Sequence, residues 1–169
     1  MGLNGLNMRI NKEYFLPLVE DFCKAAEEIG SDGYPRHGLF IPYTFENYHS
    51  AQKKIFYMGR DTAGWIKFEE MIEDYKNGSL NKYLDKNSKV VTVQGKNENS
   101  SDTHSLKEGW NIDNKWDFWR YSQKLHLYIT LGMTDIDITQ LTDDEYKIIE
   151  EMGYGNLNSL EHDRTLQAL

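Results

Sequence analysis

Four consecutive large apolar residues, Ile55 to Met58, constrain the fold more than any other stretch of this sequence. Two lysines precede the run, and Gly59-Arg60-Asp61 follows it directly. A short apolar run with aromatic and β-branched residues, bounded by charges and glycine, is typical of a buried strand. The charged pair Arg60-Asp61 therefore follows the point where a buried strand is expected to end.

Helical patterns on both sides of this strand predict the fold class. Helices are expected over residues 13–29 and 65–76, and a third, apolar on nearly every side, over 114–132. A capping box at Thr142 to Glu145 begins a short helix, and residues 153–158 then form a second strand. This order predicts an α/β fold with three layers, α-β-α, around a short parallel sheet.

The chain length fits one domain. A chain of 169 residues can bury a hydrophobic core of its own, so we expect a single domain over residues 1–169. Residues 85–109 are polar and contain few core-forming side chains. They predict a long loop or lid with a short strand at 90–93.

Composition excludes several classes of function. The net charge of −8 argues against extensive non-specific binding to nucleic-acid phosphates, although it does not exclude a small local binding site. No apolar run approaches the roughly 20 residues of a membrane span, and the first residues do not form a signal peptide. A single cysteine rules out an internal disulfide. We therefore expect a cytoplasmic protein without a membrane partner.

Metal and cofactor motifs are missing from the sequence. The five histidines have no paired ligand spacing, and there is no HExxH motif. Residues 59–64 lack both the Lys-Ser/Thr of a phosphate-binding loop and the second glycine of a dinucleotide fingerprint. The sequence predicts no metal and no cofactor. His126, on the apolar helix 114–132, is expected to be a hydrogen-bonded core residue, and the aromatic residues of that helix favour core packing over a base-stacking platform.

The position of Arg60-Asp61 has two interpretations. In an open α/β sheet, ligands bind at the carboxyl ends of the strands, where the next helix also points free N–H groups. Asp61 then orients a water molecule beside a bound ligand. In the alternative, Asp61 caps the following helix and Arg60 is solvated.

Two short motifs carry a family resemblance. The stretch IFYMGRDTAGW (55–65) resembles the first motif of the uracil-DNA glycosylase superfamily, an apolar strand followed by Gly-Gln-Asp-Pro-Tyr-His. Gly59 and Asp61 match it, with Arg60 in place of Gln. The stretch GYGNLNSLE (153–161) resembles the superfamily's second strand, which ends in an Asn that reads the base edge. Asn156 is the matching position, and Asn158 is the alternative register.

The resemblance implies a DNA-base glycosylase that acts on DNA or a free nucleobase. Such enzymes flip a nucleotide out of the duplex and hydrolyse its glycosidic bond through an oxocarbenium-like state. Asp61 would position the attacking water, and N–H groups of residues 60–62 would hold the carbonyl of the leaving base. Asn156 would pair with the base through both amide atoms. The implied substrate-binding residues are Gly59, Arg60, Thr62 and Asn156.

The chain also departs from the family pattern. Thr62, Ala63 and Gly64 replace the family's Pro, Tyr and His, and the Tyr is the residue that excludes a 5-methyl group. The family's late strand and its His-bearing segment do not follow Asn156, so we expect a domain that lacks its C-terminal strands. Two alternatives to catalysis stay open. One is a non-catalytic nucleobase- or nucleotide-binding domain, and the other is a protein-interaction domain in which Arg60-Asp61 is a surface ion pair.

Overall fold

The computed structural model describes residues 10–30, 38–61, 66–93, 104–107 and 117–158. The helices in this part of the chain are α1 Lys12–Ile29, α2 Phe68–Lys76, α3 Leu80–Asn87, α4 Asp117–Leu131 and α5 Asp143–Ile149. The strands are β1 Tyr43–Thr44, β2 Ile55–Asp61, β3 Val91–Thr92, β4 His104–Ser105 and β5 Met152–Asn158. A short 3-10 helix spans Tyr48–Ser50. No helix among the described residues is long and apolar enough to cross a membrane.

The main sheet is built around β5. It has the order β1-β5-β2, and β2 runs parallel to β5 while β1 runs antiparallel to it. The prediction of an α/β fold with a short parallel sheet is confirmed, and the antiparallel β1 makes the sheet mixed. Strand β2 is longer than its apolar run, because it continues through Gly59 and Arg60 to Asp61.

A second, smaller sheet lies in the region predicted as a long loop. β3 and β4 pair in parallel, with Val91 opposite His104, which agrees with the short strand expected at 90–93. Helix α3 precedes it and was not predicted, although Tyr83 and Leu84 on this helix are fully buried. Residues 94–103, the central part of the predicted loop, lie outside the described residues.

Helix α4 packs on the face of the sheet that carries Tyr57 and Tyr154. The Trp119 ring lies 4.5 Å from that of Tyr154, centroid to centroid, and 6.2 Å from that of Phe45. The opposite face carries Phe56 and Met58, which are 40% and 48% exposed. One part of the core therefore lies between the sheet and α4, and the same cluster of buried residues continues into α1, α2 and α3.

The expectation that a helix apolar on nearly every side is well buried is wrong for α4. One side of the helix faces the core and contains Trp119, Ser122, Gln123, His126 and Leu127. The other side is exposed and contains Tyr121, Leu125, Tyr128, Ile129 and Leu131. Apolar residues are present on both sides of the helix, but only one side packs against the sheet. Residue type alone therefore did not distinguish the buried side from the exposed side.

The packing of α4 on β5 predicts a large difference between two aromatic residues of this helix. Replacement of Trp119 by Ala removes a fully buried side chain and should lower the free energy of unfolding by about 3–5 kcal/mol. Replacement of Tyr121 by Ala, on the exposed side, should change it by less than about 0.5 kcal/mol. Urea denaturation followed by far-UV circular dichroism measures both. Equal losses would contradict this packing.

Candidate functional site

The two predicted motifs meet at the carboxyl ends of β2 and β5. In the parallel pairing of these strands, Gly59 lies opposite Asn156 and Asp61 lies opposite Asn158. Neighbouring strands are about 4.8 Å apart, so positions far separated in sequence become direct neighbours. The candidate site is therefore the end of this strand pair, with Gly59, Asp61, Asn156 and Asn158 in register.

Asn156 is a buried amide with one end hydrogen-bonded and the other without a partner among the described residues. Its side chain is only 4% exposed, and the Tyr154 hydroxyl donates a hydrogen bond of 2.9 Å to Asn156 Oδ1. The Nδ2 atom is buried and makes no hydrogen bond within the described part of the chain. Nδ2 is a donor, so it would pair with a ligand by donating to an oxygen or a ring nitrogen of that ligand.

Gly59 makes room for this amide. A Cβ atom at position 59 would lie 2.2 Å from Asn156 Oδ1 and 3.3 Å from the Tyr154 hydroxyl oxygen. Residue 59 lies within β2 and not in a turn. Its missing side chain allows close approach of the amide instead.

The structure corrects the capping interpretation of Asp61. Helix α2 begins at Phe68, and Lys67 is its N-cap residue, so Asp61 does not cap this helix. Asp61 is the last residue of β2, and Arg60 precedes it within the strand. The sequence predicted that the N–H groups of the next helix would directly follow the strand. In the structure the first turn of α2 begins after Lys67, six residues beyond Asp61. Thr62, the remaining predicted binding residue, lies outside the described residues.

A tyrosine and a histidine lie next to this site. Tyr57 pairs in register with Tyr154, and its hydroxyl oxygen lies 3.2 Å from His126 Nδ1 on α4. Burial raises the pKa of Tyr57 to about 12 and lowers the pKa of His126 to about 4, against the opposing effect of the Ile148 carbonyl. His126 is therefore neutral near pH 7. The prediction that it is a hydrogen-bonded core residue is confirmed.

Sequence reasoning missed Tyr57 and Tyr154 as neighbours of the site. Alternate residues of a strand share a face, so the spacing Tyr154 to Asn156 and Tyr57 to Gly59 carried the signal. The core assignment of Trp119 is confirmed, because this residue is 1% exposed.

Among the described residues, no three His, Cys, Asp or Glu side chains are grouped so that they could hold a metal ion. Comparisons with protein-family models, with curated proteins and with solved structures find no match to this chain. The assignment of a function therefore rests on the site and on the motif residues.

The buried His126 predicts acid sensitivity of the fold. Its pKa is about 4 in the folded protein and about 6.5 in an unfolded chain, so only the unfolded state binds the proton between these values. Stability should fall as the pH is lowered from about 6.5 to 4, by on the order of 3 kcal/mol, with no further loss from this group below pH 4.

Urea denaturation across this range checks the loss. His126→Gln should remove most of the pH dependence in this window, because the amide does not titrate and can still bond to Tyr57. His49→Gln, at an exposed position, serves as the control and should leave the profile unchanged. An unchanged profile in His126→Gln would show that His126 is not the titrating group.

The close approach of Gly59 and Asn156 predicts energetic coupling between them. Gly59→Ala forces a methyl group against Oδ1 and should destabilise the protein by about 1–3 kcal/mol. In an Asn156→Ala background the clash is absent, so the same substitution should cost much less. A double-mutant cycle measured by urea denaturation gives the coupling energy. Additive losses would show that the two residues are not in contact.

Proposed function

We propose that this protein is a uracil-DNA glycosylase-like domain that binds a uracil-type base at the ends of β2 and β5 and hydrolyses its glycosidic bond. The observation that supports it is the register of the parallel strands, in which the pair Asp61–Asn158 lies two residue positions beyond the pair Gly59–Asn156. A water-positioning carboxylate and a base-reading amide need to act on one nucleotide, so they must be neighbours. The backbone register of β2 and β5 supports this proposal, because it brings residues 59 and 61 beside residues 156 and 158.

Each site residue has a role in this mechanism. The Asn156 amide reads the base edge, with Nδ2 free to donate to a carbonyl of the base. Asp61 orients the water that attacks the sugar and stabilises the positive charge that develops there. Arg60, Thr62 and the backbone N–H groups around them stabilise negative charge on the leaving base. The reaction requires no metal and no cofactor.

A second candidate function is binding of a nucleobase without hydrolysis. It is favoured by Thr62-Ala63-Gly64, which stand where the superfamily has Pro-Tyr-His. The base-reading Asn156 is retained in this case, while groups that contribute to catalysis are replaced. The partners would be DNA or a free nucleobase, and the location would be the cytoplasm.

Replacement of Asp61 separates the two functions. The wild-type protein should release uracil from a single-stranded oligonucleotide with one deoxyuridine, leaving an alkali-labile abasic site. Asp61→Asn keeps the size of the side chain but loses its charge, and should slow release by at least about 100-fold. The matched control, Asp135→Asn, changes an exposed carboxylate away from the strand ends and should retain full activity.

Gel analysis of the cleaved oligonucleotide measures these rates. Equal activity of wild type and Asp61→Asn would show that Asp61 is not the catalytic carboxylate. Uracil binding by a wild-type protein that releases no base would support the second candidate instead. If neither binding nor release occurs, both nucleobase functions are wrong.

A further inference from the structure

We propose that the preferred substrate of this site is a nucleoside without phosphate groups, and that a uracil-containing polynucleotide is a poorer substrate. This inference rests on the proposed function, because it concerns the same strand ends and the same hydrolysis. It names the substrate class, which the site residues leave open. The charges of the chain, and of the helix that follows β2, carry it.

Negative charge predominates throughout the chain. The described residues contain 14 Lys or Arg and 20 Asp or Glu, and the remaining segments contain 5 and 7. The excess of carboxylates is therefore present in both parts, and together they give the net charge of −8. Proteins that bind a phosphate backbone neutralise it with Lys and Arg, whereas a protein of the same sign of charge repels it.

Much of the positive charge in the described residues is already engaged within the protein. Seven Lys or Arg side chains form ion pairs with carboxylates. The ammonium groups of Lys53 and Lys54 donate to backbone carbonyls, that of Lys53 to Ile129 at 2.8 Å and that of Lys54 to Tyr48 at 2.9 Å. Binding of a phosphate by any of these nine side chains would compete with an existing contact.

The helix that follows β2 also favours a substrate without phosphate. The first turn of such a helix is a common phosphate site, because its N–H groups and the helix dipole stabilise an anion. In α2 this turn contains Glu69 and Glu70. The Glu70 carboxylate pairs with Lys86, and Glu69 is exposed. The negative charge of this turn would repel a phosphate group that approached it.

A nucleoside contains every atom that the proposed hydrolysis needs. The bond between C1′ of the sugar and N1 of the base breaks, and its electron pair leaves with the base. The oxygen of the water positioned by Asp61 bonds to C1′, and one proton of this water passes to the leaving base. The products are the free sugar and the free base. No phosphate takes part, so a neutral nucleoside avoids the repulsion without any change in the chemistry.

Three substrates test the proposal: deoxyuridine, deoxyuridine 5′-monophosphate and a single-stranded oligonucleotide with one deoxyuridine. Released uracil, quantified by liquid chromatography, gives kcat/KM for each. Measurements at about 0.01 M and about 0.1 M NaCl change the screening length from about 30 Å to about 10 Å. At the lower salt concentration, kcat/KM for deoxyuridine should exceed that for the oligonucleotide by about tenfold or more, with the monophosphate between them.

The salt dependence gives a second readout with a definite sign. Screening should raise kcat/KM for the repelled oligonucleotide by about twofold or more, and should leave that for the uncharged deoxyuridine unchanged. An enzyme that makes three contacts with the phosphates of a single strand would instead lose about 100-fold over the same tenfold increase in salt.

Glu69→Lys tests the contribution of α2, and Glu28→Lys is the matched control because it makes the same change of charge. Glu27, the neighbour of Glu28, pairs with Lys76 at 3.4 Å, so position 28 lies near the C-terminal end of α2 and away from its first turn. Glu69→Lys should raise kcat/KM for the monophosphate by about threefold and leave that for deoxyuridine unchanged. Glu28→Lys should change neither.

The outcomes separate this inference from the proposed function. An oligonucleotide that is hydrolysed more efficiently than deoxyuridine, or less efficiently as the salt concentration rises, would overturn the phosphate-free substrate and leave the proposed function in place. An equal kcat/KM for the monophosphate in wild type and Glu69→Lys would overturn the contribution of α2. Release of uracil from none of the three substrates would overturn the proposed function and this inference with it.

Discussion

The parallel pairing of β2 with β5 is the interaction on which the rest of the structure depends. It joins two distant segments of the chain and sets Gly59 opposite Asn156 and Asp61 opposite Asn158. The glycine at position 59 leaves room for the Asn156 amide, because a Cβ atom there would lie 2.2 Å from Asn156 Oδ1. The same strands carry Tyr57 and Tyr154, on which α4 packs. A shift of the register by one residue would separate the site residues and also turn these tyrosines away from the core.

The site combines an apolar core with polar groups that are incompletely paired. An unsatisfied buried donor costs about 1–3 kcal/mol, and Asn156 Nδ2 has no partner among the described residues. Apart from a role in function, a smaller apolar residue at position 156 would pack against Tyr154 without this cost. In the proposed function, the base supplies the acceptor for this donor. His126 is another group whose burial has a cost, since burial lowers its pKa to about 4 and should make the fold sensitive to acid.

Local patterns predicted the elements that local interactions determine. The capping box of α5 was readable because Thr142 and Glu145 bond within the first turn of the helix. Strand β5 was recognised, and Asn156 lies within the predicted strand 153–158, whereas Gly59 was expected to follow its strand. The extension of β2 to Asp61 was missed because its pairing partner, Asn158, lies far along the chain. The exposed side of α4 was missed for a similar reason: burial depends on the sheet against which a helix packs.

NMR mapping of uracil onto the protein is the measurement that tests the central claim most directly. The account predicts that uracil shifts the Asn156 side-chain amide and the backbone amides at the carboxyl ends of β2 and β5. Resonances of Phe56 and Met58, on the opposite face of the sheet, should not move. An absence of shifts at the strand ends, or shifts confined to the opposite face, would contradict the account.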